Sequence, residues 1–330
     1  MRNKMAGVLY GMALGDAMGM PAELWGRNRV KAYFGKIEGF LDGPKENEVA
    51  FNYKRGQFTD DTGQALVLLD SIKNTDFKPS PQDIATRLLK WAEKESAFEN
   101  NILGPTSKVA LANFRDGLNA KKVTDQALSN GSAMRIAPIG CLFKAEDKER
   151  LAQFVYGVSQ VTHTSDITIA GAAMIAVAVS SAIENDDFQI VLKDIFDMEP
   201  ISRTLGVETY SPSLTERIKI GTEIADKYKG NDDKFLEKLY DIVGAGTNIS
   251  ESVPSAVTIA YYAQDPNKSC LLCANLAGDT DTIGAMSTAI CGALKGGKFI
   301  KKEYIDVLEK QNNLNFNEYI DILMEGRNFI

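Results

Sequence analysis

A single histidine, His163, serves the whole 330-residue chain. That excludes any Ser-His-Asp triad that does not use it. Cysteine is scarce as well: Cys141, Cys270, Cys273 and Cys291 are too few for a disulfide framework in so long a chain. Cys270 and Cys273 form a C-x-x-C, yet no second pair or neighbouring histidine completes a zinc site. These thiols are expected to be buried or half-buried. Basic residues do not predominate. The net charge of −7 and pI near 5.1 leave no basic face for a polyanion, so no nucleic-acid partner is expected. Runs of eighteen or more uncharged apolar residues are absent outside Gly/Ala-rich segments that read as core helices, which argues against a membrane partner. Arg2, Lys4 and the apolar run from Met5 to Leu14 imitate a signal peptide, but Asp16 and the recurring glycines spoil the pattern. A cytoplasmic location is expected. Alternating β-branched runs are missing too, so no sheet should organise the fold.

What is present is helix. Ala65, Leu66, Leu68, Leu69 and Ile72 fall on one helical face, and Ile84, Leu88 and Trp91 repeat the spacing beyond Pro79 and Pro81. Further amphipathic helices are expected over 146–161, 213–228, 233–244, 302–311 and 316–327. Ile167 to Ile183 and Ile283 to Leu294 differ, being rich in Ala, Gly, Ser, Met and Ile with hardly a charge. A helix apolar on all sides is buried on all sides, so these two read as the centre of an all-α fold. Two long stretches, 21–58 and 195–212, read as irregular, the first as a functional loop. Length alone allows one domain or two.

Two acidic clusters stand out: Thr59-Asp60-Asp61-Thr62 and Asp279-Thr280-Asp281-Thr282. Each opens an apolar helix. Asp, Thr and Ser are favoured N-caps, but a cap needs one such residue and each cluster offers four. Carboxylate and hydroxyl oxygens are hard ligands suited to Mg²⁺ or Mn²⁺. The four aspartates carry four negative charges, which two divalent cations would cancel. Without cations, carboxylates packed together must protonate or stay solvated. Both readings, capping and cation binding, stay open on spacing alone, although two like clusters in one chain favour the second.

The order of motifs resembles the ADP-ribosylglycohydrolase family, of the dinitrogenase-reductase-activating glycohydrolase type. The resemblance covers roughly Met5 to Gly296. It rests on Gly11-Met12-Ala13-Leu14-Gly15-Asp16-Ala17 with Pro21-Ala22-Glu23, Phe58-Thr59-Asp60-Asp61-Thr62, and Asn130-Gly131-Ser132-Ala133-Met134-Arg135 with Pro138. Thr162-His163, Glu251-Ser252-Val253-Pro254 and Gly278-Asp279-Thr280-Asp281-Thr282-Ile283 follow in the family's order. The detailed wording is most similar to a bacterial branch whose genes neighbour sugar or nucleoside kinases. The resemblance implies a single all-α domain over 1–330 around a binuclear Mg²⁺ or Mn²⁺ site. It implies Thr59, Asp60, Asp61, Asp279, Asp281 and Thr282 as ligands, with Asp281 bridging. Glu23, Asp61 and Asp279 become the candidate catalytic residues, Glu23 as general base on a mobile loop.

For the substrate the resemblance implies Asn130, Gly131, Ser132 and His163. The first three would present N–H groups at the start of a helix bearing Met134. Ser129 departs from the family pattern, which begins with glycine at that position. His163 reads either as a substrate contact or as a satisfied interior residue, and Arg135 as an internal partner of Glu251. Phe98, Trp25 and Phe51 are the candidates for stacking on a base. The implied reaction is metal-dependent hydrolysis of an ADP-ribosyl or smaller ribosyl conjugate, small or protein-linked. A two-metal phosphoesterase and a silent binding protein are the rivals. Oligomeric state is not legible.

Overall fold

The computed structural model describes residues 1–100 and 102–330, and the regular elements among them are all helices. Strand pairing among these residues is limited to three isolated bridges: Trp25 with Gly278, Ser129 with Asn248, and Ser165 with Val207. The expected amphipathic helices lie at Lys148–Ser159, Leu214–Lys227, Asp232–Ile242, Lys302–Asn312 and Asn317–Phe329. They surround one hydrophobic core. The two apolar segments form helices Asp166–Glu184 and Thr280–Lys295, buried almost end to end. The first of these is the one helix among the described residues long and apolar enough to cross a membrane, and it lies wholly inside the protein.

A third central helix, Arg2–Gly19, decides where the acidic clusters sit. Gly7, Gly11, Gly15 and Gly19 recur every fourth residue and so share one face. That face runs antiparallel along Gly292, Thr288, Gly284 and Thr280. A β-carbon at Gly15 would stand 1.9 Å from the carbonyl oxygen of Gly284, and one at Gly7 would stand 2.1 Å from that of Gly292. The two backbones therefore touch, which only glycine permits. This zipper brings the end of the first helix against the start of Thr280–Lys295, where Thr280 Oγ1 donates to the Gly19 carbonyl at 2.8 Å.

Three expectations need correction. The stretch 21–58 contains a helix, Arg27–Phe34, and is irregular only around it. The stretch 195–212 is helical over 195–203, as the end of Phe188–Arg203, which carries Pro200 inside it, and irregular beyond. Val191, Leu192, Ile195 and Met198 are buried on that helix, and their packing outweighs the roughly 3 kcal/mol that an interior proline costs. No helix begins at Asn130: residues 130–135 form turns, and the short helix Ala137–Gly140 follows. Pro138 explains this, since it cannot bond to the carbonyl of Met134 and clashes with it in a continuous helix.

Candidate active site

The zipper places Asp16 beside the start of helix Asp60–Asn74. Its carboxylate accepts from the Thr59 N–H at 2.8 Å, from the Thr62 N–H at 3.0 Å and from Thr62 Oγ1 at 2.6 Å. A capping box satisfies these same two N–H groups from within the helix. Here Asp16 does so from another helix, and Thr59 makes no side-chain cap of its own. Asp279 likewise heads its helix without capping it. The capping reading therefore fails for both clusters. Asp60 and Asp61 on one side, Asp279 and Asp281 on the other, are left for other work.

The two clusters meet. A cavity of about 380 Å³ is lined by Glu23, Asp60, Asp61, Asp279, Asp281 and Thr282. Asp61 Oδ1 and Asp281 Oδ1 are buried with no hydrogen-bond partner. A buried carboxylate oxygen without a donor is costly unless something positive faces it. Hard, orphaned oxygens from two clusters fit a divalent cation, although among the described residues no three acidic, histidine or cysteine side chains close around one point. Burial raises every carboxyl in the group, and neighbouring charges add to it at Glu23, Asp60, Asp61 and Asp281. Asp16 is pushed up to about 6, Asp279 to about 6 and Asp60 to about 7, burial being the main cause in each. Asp61, Asp281 and Glu23 are also raised well above the usual range, by burial and then by the neighbouring charges.

These shifts set a pH dependence. Between about pH 4 and 7 the cation-free fold holds protons that the unfolded chain has released, so its stability falls as pH rises through 6 and 7. Bound cations replace those protons. Thermal melts of EDTA-treated protein are therefore expected to give a lower Tm at pH 8 than at pH 5, with Mg²⁺ raising Tm more at pH 8. A Mg²⁺ effect that is larger at pH 5 would contradict this.

Hydrogen bonds fix the surroundings. Asn130 Nδ2 donates to Asp279 Oδ2 at 2.5 Å, and Gln64 Nε2 donates to Asp60 Oδ2 at 2.9 Å. The Glu23 segment is pinned to the second cluster, with Leu24 N–H donating to Gly278 O at 2.7 Å and Gly278 N–H to Trp25 O at 2.8 Å. Buried Asn47 holds it from the other side by donating to Glu23 O at 2.9 Å. Asn130 and Gly131 line the cavity. Ser132 does not, because its hydroxyl donates to Thr168 O at 3.0 Å in the interior. His163 is fully buried, with Nδ1 against Thr162 Oγ1 at 2.8 Å and Nε2 against Ser129 Oγ at 3.0 Å.

Arg135 does not pair with Glu251. Its guanidinium donates to Gln64 Oε1 and to Thr162 Oγ1, each at 2.6 Å, while Glu251 accepts from Gly246 N–H at 2.9 Å. None of Phe98, Trp25 and Phe51 lines the cavity. Trp25 is packed against Tyr33 and Phe34 with Arg29 above its ring. A second cavity, about 410 Å³, holds Tyr53, Phe58, Trp91 and Tyr319 and shares Asp60 and Ile102 with the first. Sequence reading gave Asp16 no role. The available signal was a lone carboxylate in an otherwise apolar, glycine-spaced helix.

Comparison with known proteins gives the family and the fold. A family model described as ADP-ribosylglycohydrolase matches residues 1–328. A protein of Escherichia coli (strain K12), YegU, itself uncharacterised, is 45% identical over 325 residues, covering 98% of this chain and 97% of its own. The chicken (Gallus gallus) ADP-ribosylhydrolase ARH3 is 27% identical, with 88% and 84% of the two chains covered. A solved structure described as an ADP-ribosylglycohydrolase-related protein complex superposes with a TM-score of 0.72 over 99% of this chain and 98% of that one, at 19% identity. That last likeness speaks for the fold.

Proposed function

Since the chain belongs to the ADP-ribosylglycohydrolase family, whose members are hydrolases of glycosidic bonds, we propose that it cleaves an ADP-ribosyl or smaller ribosyl conjugate with the help of two divalent cations, Mg²⁺ or Mn²⁺. The observation that carries this reading is the pair of buried, partnerless oxygens, Asp61 Oδ1 and Asp281 Oδ1, contributed by separate clusters to one cavity. Thr59, Asp60, Asp61, Asp279, Asp281 and Thr282 would hold the cations. When bound, these would lower the pKa of water and steady developing negative charge.

The chain's own residues supply the rest. Glycosidic cleavage passes through an oxocarbenium-like state and needs a positioned water. Glu23, in the cavity wall on a segment whose backbone Asn47 and Gly278 hold, accepts that water's proton. Burial and nearby carboxylates raise its affinity for that proton. Gln64 fixes Asp60 and Asn130 fixes Asp279, so these two carboxylates keep their positions during turnover. The aromatic cavity beyond Asp60 suits the group hanging from the ribose. A phosphoesterase would instead need Arg135 and Arg55 as clamps. Arg135 is engaged inside the protein and Arg55 lies outside the wall. A cytoplasmic location completes this reading.

Glu23→Gln is expected to bind cations as the parent does and to lose about 10²–10⁴-fold in kcat. Full activity in that variant would remove Glu23 as the base. The substrate is tested by incubating protein and Mg²⁺ with ADP-ribosyl-arginine, ADP-ribosyl-serine, O-acetyl-ADP-ribose and ribosyl nucleosides. Release of ADP-ribose names the linkage. Release from nucleosides alone moves the substrate to smaller ribosyl conjugates, and no release at all would overturn the hydrolase reading.

A further inference from the structure

An unbroken chain of side-chain hydrogen bonds runs from the acidic cluster to the opposite wall of the cavity. It links Asp60, Gln64, Arg135, Thr162, His163, Ser129 and Thr106. Arg135 is 1% exposed and can only donate. Toward Gln64 this forces the amide oxygen to face Arg135 and the amide nitrogen to face Asp60. Toward Thr162 it fills a lone pair of Oγ1, and the one remaining acceptor for the Thr162 proton is His163 Nδ1, at 2.8 Å. Thr162 is fully buried, so sending that proton elsewhere would leave it unpaired. Burial and the charge of Arg135 push the imidazole pKa down to about 3, so the ring is neutral. A neutral ring that accepts at Nδ1 must donate from Nε2. Ser129 Oγ, 3.0 Å from Nε2, is then an acceptor on that side. Its own proton is free to point elsewhere.

Ser129 lines the substrate cavity. In the free protein its other partner is Thr106 Oγ1 at 3.3 Å, where either hydroxyl can donate, a contact long for a hydroxyl pair and weak. We infer that Ser129 is a substrate-contacting residue, presented as a hydrogen-bond donor by the one-way chain that begins at Arg135. Its ligand is a substrate oxygen that accepts a hydrogen bond, and the charged phosphoryl oxygen is the strongest such acceptor an ADP-ribosyl group offers. Gly131 makes room for the arrangement, because a β-carbon there would stand 2.8 Å from His163 Cε1. The inference rests on the proposed function for the identity of the bound group.

The lone histidine makes the test clean. ¹⁵N spectra of histidine-labelled protein are expected to show Nδ1 bare and Nε2 protonated from pH 5 to 8. The reverse tautomer, or an imidazolium, would overturn the inference. Calorimetry with ADP-ribose in Mg²⁺ supplies the second arm. Ser129→Ala is expected to bind about tenfold more weakly, the size of one hydrogen bond. Thr162→Val should weaken binding similarly and also disturb the tautomer, which Ser129→Ala should leave alone. Unchanged binding by Ser129→Ala would overturn the contact. If the parent protein shows the expected tautomer but does not bind ADP-ribose, the ADP-ribosyl reading itself fails, and the contact with it.

Discussion

Replacing Asp281 by alanine is expected to abolish cation binding and to reduce hydrolysis by about 10³-fold or more, since metal stabilisation of charge is worth several kcal/mol and each 1.4 or so is tenfold. Asp281 is 2% exposed, and its Oδ1 has no partner in the protein. Glu23, Asp61 and Asp279 all push its pKa up, after burial. The residue is therefore a burden on the cation-free fold. Its removal should leave the Tm of EDTA-treated protein unchanged or higher, while erasing the rise that Mg²⁺ produces in the parent. Calorimetric melts with and without Mg²⁺ separate this from misfolding. A variant that melted much lower without cations would make Asp281 a structural residue instead.

Gly15→Ala is expected to cost about 3 kcal/mol or more, the upper end of the range for overpacked cores. The added carbon would stand 1.9 Å from Gly284 O and 2.3 Å from Gly284 C, backbone atoms with no rotamer to change. The two helices must part. Asp16 is the next residue, so the three bonds it makes to Thr59 and Thr62 shift with it. Urea unfolding should show the loss of stability, and Mg²⁺ titration a weakened site. Gly39→Ala meets nothing within 4 Å and serves as the control, expected within about 0.5 kcal/mol of the parent. Equal midpoints for the two variants would refute the zipper's role.

The helices were legible because apolar residues recur at helical spacing, and the two apolar segments announced their own burial. The clusters were legible because four ligand-type residues exceed what capping needs. What could not be read was which side chain satisfies which. Arg135 and Glu251 carry opposite charges in two of the motifs, but the fold sends Arg135 to Gln64 and Thr162, an amide and a hydroxyl with no distinctive spacing. Asp16 lay inside a quoted motif, yet its partners are backbone N–H groups about 45 residues away, which no pattern of side chains reveals. The glycines at 7, 11, 15 and 19 were visible, but their mates at 284 and 292 are distant in sequence, so only the packed structure pairs them. The irregular reading of 195–212 failed over 195–203, where buried Ile195 and Met198 hold a helix that has Pro200 inside it.

The central claim is that two distant acidic clusters form one cation-dependent hydrolase centre. The most direct test measures ADP-ribose release against free Mn²⁺, counting bound Mn²⁺ by electron paramagnetic resonance in the same samples. The expected result is two Mn²⁺ per chain, activity rising with their binding, and loss of both on adding EDTA. Full turnover in a chain stripped of cations would contradict the account.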